Sequence, residues 1–165
     1  CGAFLHRVQL KVNMYKLISD IAERCHTAAE KRGKDTTANG CIEALRTEQQ
    51  EYWNAVDKGH YVPDFDIMVR EATKLSDRDF TTLYEAKIHN SVPDELADIV
   101  ITAATWLQTA KNKAGEDFQP DRDIDVLLLN GAVQFACRQI TCEKDVRELQ
   151  AAVNLKMRYN ELRKD

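Results

Sequence analysis

Residues 91–107 read Ser91-Val92-Pro93-Asp94-Glu95-Leu96-Ala97-Asp98-Ile99-Val100-Ile101-Thr102-Ala103-Ala104-Thr105-Trp106-Leu107. Ser91, Pro93 and Asp94 together form a helix-start signal: a capping side chain, a first-turn proline and an acid at the positive end of the helix dipole. Beyond them the apolar residues cover most of the helical circumference. The pattern therefore predicts a helix buried on most sides, ending before Gly115.

Working outward, the same period recurs. Val8, Val12, Tyr15, Ile18, Ala22 and Cys25 predict a helix over 6–32, stopped by Gly33 after Lys31 and Arg32. Asn39 and Gly40 open a second helix to about Lys58, before Gly59. Asp64 is expected to cap a helix to about Lys74, and Ser76 with Asp79 form a capping-box pattern for another to about His89. Asp121 or Asp123 begins a further helix through Leu127–Leu129 and Phe135, and the last runs from near Thr141 towards Arg163. No period-two pattern competes. The expectation is an all-α chain, a single domain over 1–165.

Composition narrows the function. With 23 basic and 27 acidic residues the net charge is -4, and no basic cluster with interleaved aromatics occurs, so a dedicated nucleic-acid binder is not expected. Cys1, Cys25, Cys41, Cys137 and Cys142 are odd in number and contain no CxxC pair. They read as buried reduced thiols of a cytoplasmic protein rather than zinc ligands or disulfides. No signal peptide and no membrane-spanning run are expected.

Two acidic pairs carry the chemistry. Glu48 and Glu51 lie three residues apart, as do Glu95 and Asp98, so on helices each pair shares a face. Such pairs on adjacent helices can surround a hard cation with oxygen ligands. Spacing alone is not selective: Asp20/Glu23 and Asp145/Glu148 share it, and roughly four such pairs are expected by chance in a chain this acidic. Setting separates them. Glu48 interrupts the apolar stripe of Ala44, Leu45 and Tyr52, and Asp98 sits inside the apolar helix, where an unpartnered acid is costly. Asp20, between Lys16 and Arg24, reads as a solvated face. Glu95 also suits the helix dipole, and Glu51 also suits a half-exposed surface.

These residues resemble the MazG-like all-α nucleotide pyrophosphohydrolases, marked by EExxE on one helix and ExxD on the next. Here they stand as Thr47-Glu48-Gln49-Gln50-Glu51 and Glu95-Leu96-Ala97-Asp98. His26–Gly33, Glu51–Gly59 and the stretch Lys156-Met157-Arg158-Tyr159-Asn160-Glu161-Leu162-Arg163 are similar too, so the likeness spans most of 20–163. Thr47 departs from the first Glu of the motif, and residues 60–90 look like an inserted helical pair, for packing or dimer contact or as a lid.

The resemblance implies an antiparallel helical bundle and a homo-oligomer, most simply a dimer. It implies Mg²⁺, with Mn²⁺ as a substitute, held by Glu48, Glu51, Glu95 and Asp98. The implied reaction cleaves an NTP or dNTP to a nucleoside monophosphate and pyrophosphate. Glu48 or Glu51 would orient or deprotonate the attacking water. Lys156, Asn160 and Arg163 would contact phosphate or sugar, and loss of Lys156 is expected to leave metal binding intact. Dimerisation is also expected because one small bundle would not cover the apolar helix at 95–111.

Two other readings stand beside it. A di-iron or di-manganese carboxylate bundle wants ExxH on two helices, and only Glu23-Arg24-Cys25-His26 supplies one. A non-enzymatic helical interaction module would leave the acids solvated. His6, His60 and His89 are expected on the surface or in loops without a site, and Trp53 and Trp106 in the core.

Overall fold

The computed structural model describes the backbone of residues 2–119 and 143–163, with side chains from 15–119 and 146–163. Among these the chain is all-helical, with no strand: α1 (Gly2–Lys31), α2 (Ala38–Asp57), α3 (Phe65–Thr73), α4 (Asp77–Lys87), α5 (Val92–Ala114), a 3-10 turn (Gly115–Asp117) and α6 (Glu143–Leu162). The helix expected at 121–135, the side chains of His6, Val8 and Val12, and Cys1, Cys137 and Cys142 lie outside the described residues.

α5 is the axis of the fold. It packs against α1, α2 and α6, and Ile99, Val100, Ala103, Ala104, Trp106 and Leu107 are all buried. The apolar run thus has partners on several sides within one chain. This overturns the premise that α5 needs a second copy to cover it. Among the described residues the large exposed apolar side chains are Tyr15, Trp53, Tyr61 and Ile67 instead. Trp106 is in the core as expected; Trp53 is not, being 45% exposed on the outer face of α2.

Local chemistry explains the helix starts. Ser91 Oγ accepts from the Asp94 N–H at 3.4 Å, and Ser76 Oγ from the Asp79 N–H at 3.2 Å. α2 begins one turn-position earlier than expected because Thr37, not Asn39, is its cap, accepting from the Gly40 N–H at 3.1 Å. Asp64 precedes α3 but makes no side-chain capping bond; its φ of 49° places it in the left-handed region.

Residues 60–90 do form two helices. α3 and α4 pack on each other and on α6. Phe80 and Tyr84 of α4 are fully buried, and the Tyr84 ring stacks on Tyr159 of α6 at 4.4 Å between centroids, an arrangement that contributes beyond simple burial. The pair is anchored to the body of the protein through the same helix that carries Lys156. No helix among the described residues is long and apolar enough to cross a membrane.

Candidate metal and phosphate site

α2, α5 and α6 border a cleft of about 510 Å³, and all seven residues singled out from the sequence line it: Glu48, Glu51, Glu95, Asp98, Lys156, Asn160 and Arg163. Arg32, Lys34 and His89 join them. One oxygen each from Glu48, Glu95 and Asp98 lie within 4.8 Å of one another. Helical geometry explains the fourth acid. Glu51, one turn beyond Glu48, is exposed and lines the same cleft, and its carboxyl helps to raise Glu48. His26 is not in the cluster; it faces Glu30 one turn along α1 at 3.7 Å, so the lone ExxH segment contributes no ligand to it. Thr47 donates its hydroxyl to the Glu43 carbonyl at 3.2 Å within α2.

The acids are under electrostatic stress. Burial, then the Asp98 charge, pushes the Glu48 carboxyl up to about 9. Burial and the same neighbour raise Glu95 to about 7. Asp98 is raised by burial to about 6, even with Lys156 pulling the other way. Like charges this close cannot all ionise cheaply without a cation among them. Glu48 Oε2 is moreover buried with no hydrogen-bond partner, an arrangement that native proteins rarely leave uncompensated. An all-oxygen donor set with an orphaned carboxylate atom fits a hard divalent ion.

Behind the cluster lies a network that the sequence did not reveal. Lys156, 2% exposed, sits 2.8 Å from Asp94 and 2.9 Å from Asp98. Burial alone would push its ammonium down, but Asp98 and Asp94 outweigh that and hold it above its ordinary value. Asp94 is also fully buried. It accepts from the Tyr84 hydroxyl, from the Asn90 N–H at 2.8 Å and from Lys156, and faces His89 Nδ1 at 3.5 Å. Burial would raise Asp94, yet His89 and Lys156 bring it below the ordinary carboxylate value. Asp94 is therefore more than the first-turn acid its position suggested, and His89 has a site after all. Only the Lys156 member carried a sequence signal, because Tyr84 and His89 reach Asp94 through folding of the 60–90 segment.

The two thiols among the described residues offer no competing chemistry. Cys25 and Cys41 are free and buried, and burial pushes them up to about 12 and about 11, far from the thiolate a nucleophile needs.

Comparison of the chain with protein-family models, with curated proteins and with solved structures finds no match.

Proposed function

We propose that this chain is a Mg²⁺-dependent hydrolase converting a nucleoside or deoxynucleoside triphosphate to the monophosphate and pyrophosphate. The observation that carries this reading is the convergence of Glu48, Glu95 and Asp98 within 4.8 Å, in a cleft that Lys156 and Arg163 also line. Acids alone would repel a triphosphate; acids with cations beside them suit a metal-bound polyphosphate. The MazG-like pattern of the motifs points to the same class.

Glu48, Glu95 and Asp98 would hold the metal, with Glu51 completing the set from the edge. Mn²⁺ would substitute. When bound, the ion supplies charge neutralisation at the phosphates and a lowered pKa for water. Glu48 or Glu51 orients the attacking water and takes its proton. Asn160, buried with its Oδ1 unpartnered, has an acceptor to offer a ligand hydroxyl or amine, and Arg163 meets phosphate. Lys156 acts chiefly from behind, fixing Asp98 and Asp94. The protein works as a dimer in this account, with exposed Trp53, Tyr61 and Ile67, rather than α5, available for contact. Light scattering at micromolar concentration tests that part, and a strictly monomeric mass overturns it.

The reading is tested by incubating the protein with a panel of NTPs and dNTPs with Mg²⁺ and identifying the products. Monophosphate plus pyrophosphate from at least one substrate, abolished by EDTA, is expected. No turnover across the panel would return the acids to a structural or interaction role.

A further inference from the structure

His89 lies in the link between α4 and α5, and its ring borders the cleft. Nδ1 faces the Asp94 carboxylate at 3.5 Å, and one side of the imidazole approaches Tyr159 at 5.6 Å between centroids. Asp94 is itself immobilised by Tyr84, Asn90 and Lys156. A histidine whose Nδ1–H is held by a fixed carboxylate has a fixed direction, and as the imidazolium it presents its Nε2–H as a donor. No described residue hydrogen-bonds to Nε2. The Tyr159 ring that flanks His89 also lies 5.7 Å from the Lys156 ammonium and 5.4 Å from the Arg163 guanidinium. Three basic side chains thus gather about one ring, and all three line the cleft.

We propose that His89, oriented by Asp94, is a phosphate-contact residue that donates a hydrogen bond from Nε2 to the pyrophosphate portion of the substrate. This rests on the triphosphate reading above and deepens it. The attacked α-phosphorus must lie against the carboxylates of Glu48, Glu95 and Asp98. The more highly charged β and γ groups then extend to the side where basic groups gather, which is where His89 stands. Its own charge environment suits the task. The Asp94 contact, chiefly, raises the imidazole above its ordinary value; burial and Lys156 oppose this, and Glu95 adds to it. In the reaction, water gives a proton to Glu48 or Glu51 and adds its oxygen to the α-phosphorus, the bond from that phosphorus to the bridging oxygen breaks, and pyrophosphate leaves with the electron pair. His89 holds the departing group by a hydrogen bond and transfers no proton.

The test uses inorganic pyrophosphate as probe, with Mg²⁺ present throughout. The full chain carries isotope-labelled histidine, and the His89 signal is assigned by its disappearance in His89→Gln. Pyrophosphate should shift the His89 ring-nitrogen resonances. By calorimetry, His89→Gln should weaken pyrophosphate binding about tenfold or more, the scale of one charge-assisted hydrogen bond, and leave Mg²⁺ affinity without pyrophosphate unchanged. Unmoved ring resonances together with an unchanged pyrophosphate affinity in His89→Gln would overturn the proposal, whether or not nucleotides are hydrolysed. Conversely, a shifted His89 signal in a protein that hydrolyses no nucleotide would uphold the contact while refuting the hydrolase reading.

Discussion

The Lys156 ammonium stands 2.9 Å from the Asp98 carboxylate. One of the acids proposed to hold metal is thus oriented by a buried cation from another helix. Lys156 meets Asp94 on its other side at 2.8 Å, so it links the cleft to the buried network behind it. The proposed metal site and the stability of α6 against α5 therefore share a residue.

The first prediction revises what the sequence alone suggests for Lys156. Lys156→Ala leaves Asp94 and Asp98 without their counter-charge, and stranding a buried charge costs about 3–5 kcal/mol. The variant should unfold at markedly lower denaturant concentration, and its Mg²⁺ affinity should change along with nucleotide affinity. Wild-type stability with altered nucleotide binding alone would place the lysine in direct phosphate contact only.

Glu48→Gln should separate stability from function in the opposite direction. Replacing an acid that burial and Asp98 keep protonated in the fold removes the cost of that protonation in the metal-free protein, raising its Tm at pH 8. Turnover should nearly vanish. Asp98→Ala should lose turnover as completely, but it also deprives Lys156 of a partner. Full activity in either variant removes that acid from the metal site.

The pH dependence has a definite sign. Glu48, Glu95 and Asp98 titrate at about 9, about 7 and about 6 in the folded protein, above the ordinary carboxylate values near 4. Groups raised on folding contribute stability that is full below their ordinary values and is lost as pH climbs through the folded ones. The metal-free protein should therefore become less stable between about pH 5 and 9. Asp94, held low, acts oppositely and costs stability only on the acid side. Mg²⁺ binding should release protons, so added Mg²⁺ should raise Tm more at pH 8 than at pH 6. An equal shift at both values in thermal melts would contradict this.

Gly40 gives a packing prediction. A Cβ there would stand 2.3 Å from Asp35 Cγ and 2.6 Å from the Asp35 carbonyl oxygen. Asp35 borders the cleft and is tied locally to the Thr37 N–H at 2.9 Å. Alanine's helix-propensity gain is under about 1 kcal/mol, whereas displacing backbone costs about 1–3 kcal/mol. Gly40→Ala should lower Tm and raise KM; an unchanged melt would show that the segment at 34–37 yields freely.

The all-helical architecture was legible because helix periodicity and end signals agree locally, as Ser91 with Pro93 and Ser76 with Asp79 illustrate. The acidic cluster was legible because Glu48 and Asp98 sit where apolar residues belong, a conflict a sequence displays directly. Asp94 was not, because an acid at a helix start already has a sufficient local reason. Tyr84 and His89 gain their partners only when the segment 60–90 docks on α6, a long-range event with no periodic trace. Trp53 misled for a related reason: size and hydrophobicity favour the core, but its register on α2 points outward while Tyr52 takes the buried position. The apolar circumference of α5 is visible in the sequence, whereas its covering by α1, α2 and α6 is a matter of topology.

The central claim is that water attacks the α-phosphorus of a triphosphate in the cleft formed by Glu48, Glu95 and Asp98. Hydrolysis in ¹⁸O-labelled water, with the products separated and weighed by mass spectrometry, tests it most directly. The account predicts one labelled oxygen in the nucleoside monophosphate, none in the pyrophosphate, and no reaction once EDTA removes Mg²⁺. Label appearing in pyrophosphate or in orthophosphate released as the primary product, or turnover that persists without metal, would contradict it.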